Sequence, residues 1–167
     1  MTRIALVVLG CAVLNACGSA PAQTGISIAP PRELAEARAL QIISDELTHL
    51  SVPNSRDWDI DVNAARALRV DVHVDGSDFG IEYVTAQDRS DMGDIIPDPD
   101  PDGQLRIMRG SRADGHAQVL VLDSQSYLYD EHIENVQEGA LGMRDAEGRL
   151  TRDVEDFIAY ARGQGLN

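Results

Sequence analysis

The sequence predicts an α+β domain in which a small antiparallel sheet of about 4–5 strands packs against N-terminal and C-terminal helices. Apolar residues recur at helical spacing near both ends of the chain, and they alternate with polar residues between Trp58 and Tyr83, as in half-buried strands. The two patterns do not alternate regularly, which disfavours a parallel sheet built from strand–helix–strand units. The chain of 167 residues holds one such domain, which we place at 32–167.

The first helix is predicted at 32–49, where Leu40, Ile43 and Leu47 recur at spacings of three and four. Pro30-Pro31 stands where a helix can begin, since the first turn needs no amide hydrogen from proline. Val52-Pro53-Asn54-Ser55 then predicts a turn, because proline cannot continue the helix and Asn and Ser bond to the local backbone.

A hairpin is the strongest strand prediction. An earlier strand is indicated by alternating apolar residues over 58–62, and the hairpin follows with its turn at Gly76-Ser77. A two-residue turn places every apolar pair of the hairpin on one face, with Val74 opposite Phe79, Val72 opposite Ile81 and Val70 opposite Tyr83.

Residues 86–103 are predicted to form a long acidic loop, because they contain six aspartates and only Ile95-Ile96 as an apolar pair. A short strand at 105–108 follows. The uninterrupted apolar run Val119-Leu120-Val121-Leu122 is typical of a central strand that is covered on both faces. Tyr127-Leu128-Tyr129 either extends the sheet or leads into a helix.

A terminal helix is predicted because a set of apolar residues falls on one helical face. These residues are Leu150, Val154, Phe157, Ile158 and Ala161. Arg162-Gly163 is a typical helix stop.

The first sixteen residues have the layout of a secretory signal peptide. Arg3 supplies the positive charge and Ile4 to Leu14 the hydrophobic region, which is too short for a bilayer span of about 20 apolar residues. Leu14-Asn15-Ala16-Cys17 closes this segment and resembles the lipobox of bacterial lipoproteins. The resemblance implies cleavage of the signal peptide 1–16 and lipidation of Cys17. Val8-Leu9-Gly10-Cys11 also fits the pattern, but it would leave only a stub of hydrophobic region.

The lipobox implies a location. Two or more acyl chains on Cys17 would anchor the domain stably in a bilayer, and no other thiol would remain in the mature chain. Gly18 stands where aspartate would imply the inner membrane, so the resemblance implies the outer membrane, with the domain facing the periplasm or the cell surface. Residues 17–31 are rich in Gly, Ser, Ala and Pro and are predicted to form a flexible tether.

The charge of the chain excludes one class of partner. Its formal net charge is −14, without any lysine, and such a surface is repelled by the phosphates of nucleic acids. A GC-rich genome or adaptation to salt explains the acidity without any ligand. The alternative is that some of the acids bind a cation.

Asp98-Pro99-Asp100-Pro101-Asp102-Gly103 has the alternate-aspartate spacing that begins calcium loops, which makes Asp98, Asp100 and Asp102 metal candidates. The glutamate that completes an EF-hand would fall at Arg109, and the two prolines stiffen the segment. A solvated connector is therefore the competing interpretation. Calcium would need extra ligands from Asp88, Asp91 or Asp94.

Asp71, His73 and Glu82 form the second acidic candidate. In the predicted hairpin Asp71 faces Glu82 across the strands, with His73 two residues along. Two carboxylates and an imidazole could bind a divalent metal, or one carboxyl could acquire a raised pKa for acid–base chemistry. Arg69 could instead neutralise the cluster on a solvated strand face.

The sequence contains no nucleophile elbow, phosphate-binding glycine loop or HExxH motif. We therefore expect a non-catalytic envelope lipoprotein that acts as a binding or scaffolding module without a cofactor. Its expected partners are the lipid bilayer, through acylated Cys17, and another envelope protein. The alternative is a calcium-dependent module or hydrolase that uses the acidic loop or the face bearing Asp71, His73 and Glu82.

Overall fold

The computed structural model describes residues 30–97, 105–113, 115–130 and 142–166. Within these ranges three helices flank a five-stranded sheet, which confirms the α+β fold class. The elements in chain order are α1 (Glu36–His49), β1 (Asn54–Asn63), β2 (Arg66–Val74), β3 (Phe79–Val84), α2 (Ala86–Met92), β4 (Ile107–Arg112), β5 (Gly115–Asp123) and α3 (Met143–Gly163). Short 3₁₀ turns follow α2 at Gly93–Ile95 and β5 at Ser124–Tyr127.

The sheet differs from the prediction of an antiparallel sheet in two respects. It closes into a small barrel with the strand order β1-β2-β3-β5-β4, and the pairing of Asp61 with Ser111 joins β1 to β4. The strands β3 and β5 are parallel, with Val84 opposite Asp123. The connection from β3 to β5 passes through α2 and β4, which gives it the length that a parallel crossover needs.

Two hydrophobic cores lie on the two faces of the sheet. The residues inside the barrel are Trp58, Ile60, Leu68, Val70, Val84, Ile96, Met108, Ala117, Val119 and Val121. On the outer face, strand residues such as Ile81, Tyr83 and Leu120 pack against α1 and α3. Because β5 contributes to both cores, the prediction of a central strand that is covered on both faces is confirmed.

The hairpin of β2 and β3 follows the prediction over only part of its length. Val72 pairs with Ile81 as expected. Val70, however, lies inside the barrel while Tyr83 faces the helices, so the predicted pairing of these two on one apolar face is wrong. The reason is that the apolar residues of β2 change faces between Val70 and Val72.

The two predicted helices are confirmed. α1 buries Ile43 and Leu47, and α3 buries Leu150 and Phe157. Arg38 bonds to Glu147 near the start of both helices, and the Arg162 guanidinium donates to the Leu50 carbonyl near their ends. The two helices therefore run parallel to each other.

The prediction of a continuous acidic loop at 86–103 is wrong for its first part, where α2 forms. The amide of Asp88 donates to the Thr85 hydroxyl at 3.2 Å, and the amide of Thr85 donates to the Asp88 carboxylate at 2.9 Å. This reciprocal capping box starts the helix although its sequence has little apolar content. Residues 98–103 of the predicted loop lie outside the described residues.

Candidate functional site

Asp71 and Glu82, which we call the carboxyl pair, lie opposite each other between β2 and β3. The amide of Asp71 donates to Oε2 of Glu82 at 3.0 Å, and the amide of Tyr83 donates to Oδ2 of Asp71 at 2.8 Å. Glu82 is 3% exposed, because its strand is buried on both faces. The sequence pattern thus placed these two residues correctly with respect to each other.

The surroundings of the carboxyl pair raise the pKa of both carboxyl groups. Burial, followed by the charge of Asp71, raises the pKa of Glu82 to about 8. Burial also raises the pKa of Asp71 to about 6, against the opposing effect of the hydrogen bond from the Tyr83 amide. One of the two carboxyl groups is therefore protonated at neutral pH.

His73 does not join the carboxyl pair. Its ring stacks on Trp58 with 4.3 Å between centroids, and its Nε2 lies 3.0 Å from the Ser77 carbonyl oxygen. Its Nδ1 lies 3.7 Å from an oxygen of Asp75. Among the residues that the structure describes, no three His, Cys, Asp or Glu side chains are grouped to hold a metal ion. Asp71, His73 and Glu82 consequently do not form a shared metal centre.

The calcium candidates Asp98, Asp100 and Asp102 lie outside the described residues, so the calcium hypothesis stays a prediction. The acids proposed as extra ligands are described, and each has a local partner. Asp88 caps α2, Asp91 accepts from the Gln87 amide, and Asp94 lies 3.5 Å from Arg66.

Asp123 ends β5 beside the end of the parallel strand β3, and the sequence analysis missed it. This aspartate is 2% exposed; Arg89 bonds to it, Arg106 lies 3.6 Å away, and the Gln125 amide donates to it at 3.0 Å. The two guanidinium groups compensate its buried charge. The position of Asp123 directly after an apolar run was the signal that could have identified it. Its saturated contacts indicate a structural role.

At the opposite end of the barrel lies an open groove of about 700 Å³. We call it the hairpin groove, because the turn between β2 and β3 forms one wall and the end of α3 the other. Its lining includes His73, Asp75, Asp78, Arg112, Gln118 and Leu166.

The floor of the hairpin groove is an aromatic stack. His73 covers the Trp58 ring, and the Arg112 guanidinium lies 5.2 Å from the centroid of the same ring. The indole N–H of Trp58 is buried and finds no acceptor within the part of the chain that the structure describes. The Trp58 ring is thus covered by an imidazole and a guanidinium that both line the groove.

The chain enters the domain at the end remote from the hairpin groove. Arg32 and Tyr129 exchange two backbone hydrogen bonds of 2.9 Å, and the Tyr83 hydroxyl donates to the Leu34 carbonyl at 2.8 Å. Strand β3 runs from Phe79, which lines the groove, to this entry end. The point where the chain enters and the hairpin groove therefore lie at opposite ends of the domain.

Cys17 and most of the predicted tether 17–31 lie outside the described residues. Among the described helices, none combines the length and apolar character needed to cross a membrane. A comparison of the chain with known proteins found no matching family model, no similar curated protein and no similar solved structure.

Proposed function

We propose that the chain is a lipid-anchored protein of the outer membrane whose domain is a non-catalytic binding or scaffolding module. The lipobox resemblance at Cys17 supports the anchor. The observation that carries the binding role is the separation of the two ends of the domain: the chain enters at Arg32, and the hairpin groove lies at the other end.

This separation gives the anchored domain an orientation. A tether from Cys17 would reach the domain beside Arg32 and Tyr129, so that end would face the bilayer. The hairpin groove would then face away from the lipid, where another envelope protein has access to it. A flexible tether of this length would add a mean reach on the order of 20 Å, which would keep the groove clear of the headgroups.

The barrel interior is tightly packed, so we place the binding site on the surface of the barrel. A β-carbon on Gly110 would lie 2.9 Å from the Ile60 side chain, and one on Gly80 would lie 2.9 Å from Trp58. The described part of the interior is thus filled by side chains, as in other small barrels.

The charge of the molecule indicates the chemistry of the partner. The chain carries a formal net charge of −14, and Asp75 and Asp78 are exposed at the rim of the hairpin groove. A protein segment rich in arginine or lysine is complementary to this field and would associate faster at low salt.

Substitution of the lipidated cysteine tests the anchor. Cys17→Ser should abolish labelling by radioactive palmitate and move the protein from the membrane fraction into the soluble fraction. Cys11→Ser is the matched control and should retain both properties, because the second lipobox candidate would leave too short a hydrophobic region. Labelling that follows Cys11, or that persists without Cys17, contradicts the assignment.

A photo-crosslinking amino acid tests the groove in the full lipidated chain. At position Gln164, an exposed residue of the groove, we expect a crosslinked product that weakens with added salt and in the Asp75→Asn, Asp78→Asn double variant. Glu155, exposed on α3, whose C-cap is Gln164, is the control position. Equal crosslinking from both positions, or a product insensitive to salt and to the double variant, contradicts a basic partner at this groove.

A further inference from the structure

The carboxyl pair occupies a break in the pairing between β2 and β3. The strands pair at His73 with Gly80 and at Val72 with Ile81. At the next position side chains replace the backbone acceptors, since Glu82 receives the Asp71 amide and Asp71 receives the Tyr83 amide. The join between the strands at this point therefore depends on two carboxyl groups.

The backbone turns at the same point. Val70 packs inside the barrel against Trp58, whereas Val72 packs outside against the helices, so β2 reverses its faces across Asp71. On the neighbouring strand β1, Asp57 has a positive φ of 61° between the paired residues Arg56 and Trp58. A non-glycine residue in this region marks a local departure from regular strand geometry.

The charges around the pair are mostly negative. Glu36 of α1 and Asp88 of α2 disfavour ionisation of both carboxyl groups, and Arg56 of β1 is the cation that favours ionisation of Asp71. Arg56 is itself exposed and bonds to the Leu40 carbonyl and the Ser44 hydroxyl of α1. A second negative charge on the pair would therefore face two further carboxylates and one shared guanidinium.

We propose that the carboxyl pair is a proton-controlled latch between β2 and β3. With one proton on the pair, both side chains hold the amides of the opposite strand, and the join is closed. When that proton leaves to water, the two carboxylates repel each other and the strands separate beyond Ile81. Such opening would expose the barrel interior at the end where the chain enters the domain.

The pKa values place this transition between about pH 7 and pH 9, because Glu82 has a pKa of about 8 and Asp71 one of about 6. Below that range the pair keeps a proton and the latch stays closed. Above it both groups are charged. The burial of Glu82 strengthens the repulsion, since few water molecules can screen it.

Amide hydrogen exchange measured by NMR on the full chain in detergent tests the latch. After correction for the intrinsic pH dependence, we expect protection of the Asp71 and Tyr83 amides to fall at least tenfold between pH 6 and pH 9. The Val121 amide, which donates to the Arg106 carbonyl at 2.8 Å, should keep its protection. Glu82→Gln should make the protection of Asp71 and Tyr83 independent of pH, and Glu155→Gln, an exposed control on α3, should behave as wild type.

Two results would overturn the proposal. One is protection of Asp71 and Tyr83 that follows Val121 at every pH in the wild type. The other is obtained without any variant, from the carboxyl ¹³C shifts of the wild-type protein: titration of both side chains near the ordinary pKa of about 4 would leave no shared proton to release.

Discussion

Gly80 offers a direct test of how tightly the barrel interior is filled. A β-carbon on this residue would lie 2.9 Å and 3.0 Å from two ring atoms of Trp58 and 3.0 Å from a methyl carbon of Val70. Carbon atoms prefer a separation of about 3.5–4.0 Å, so a neighbour must move. The Trp58 ring has little freedom to do so, because His73 stacks on one part of it and Arg112 lies over it.

The expected effect of Gly80→Ala is a loss of stability. Overpacking of a core costs about 1–3 kcal/mol, whereas exchanging glycine for alanine stabilises by about 0.4–1 kcal/mol through the unfolded chain. We therefore expect the free energy of unfolding to fall by about 1–2 kcal/mol. Urea denaturation followed by fluorescence measures it, and the signal is specific because Trp58 is the single tryptophan of the sequence.

Gly148→Ala is the matched control for this experiment. Its β-carbon would lie 3.7 Å from the Arg152 guanidinium, an ordinary contact, in the interior of α3. We expect this variant to gain up to about 1 kcal/mol from helix propensity. If Gly80→Ala were as stable as the wild type, or gained stability as Gly148→Ala should, the conclusion that the interior has no spare volume would be refuted.

Four further substitutions, one of them a control, probe the charges and the capping box. Glu82→Gln should flatten the pH dependence of stability. The wild type should lose about 2–3 kcal/mol of unfolding free energy between pH 5 and pH 7, because the unfolded chain ionises Glu82 near its usual pKa of 4.5 while the folded protein keeps the proton up to about pH 8. An equal loss in both proteins, measured by urea denaturation, would contradict this. Asp123→Ala should destabilise by about 3–5 kcal/mol, because it leaves Arg89 and Arg106 without their buried counter-ion. The exposed ion-pair control Asp59→Ala should change the free energy of unfolding by less than about 1 kcal/mol, and equal losses would refute the distinction. Thr85→Ala should cost about 1 kcal/mol through the lost cap, measured by urea denaturation; no loss would show that tertiary contacts alone hold α2.

The elements that could be predicted from the sequence are those whose local pattern matches their packing. The helix containing Leu150 and Phe157 has one apolar face and one core to cover, so its periodicity was sufficient. The closure of the barrel could not be predicted, because it depends on long-range pairing of β1 with β4, as at Asp61 and Ser111. The helix α2 was overlooked because its start depends on a capping box and not on apolar periodicity.

The same distinction applies to the candidate site. Alternation along two strands was enough to place Asp71 opposite Glu82. It could not show that β2 reverses its faces at this point, and that reversal sends the His73 ring to Trp58. The hairpin groove was also beyond sequence analysis, because its two walls come from distant parts of the chain.

The two backbone hydrogen bonds between Arg32 and Tyr129 also have a mechanical consequence. If the anchor proposed at Cys17 holds the chain while the domain is pulled away from the membrane, the load first meets two backbone hydrogen bonds between these residues. Their rupture would release only the residues ahead of Leu34, because Leu34 is buried and its carbonyl accepts the Tyr83 hydroxyl. The released segment would be about 7 Å long at full extension. The barrel would remain intact, so these few residues would yield to the load before the folded domain does.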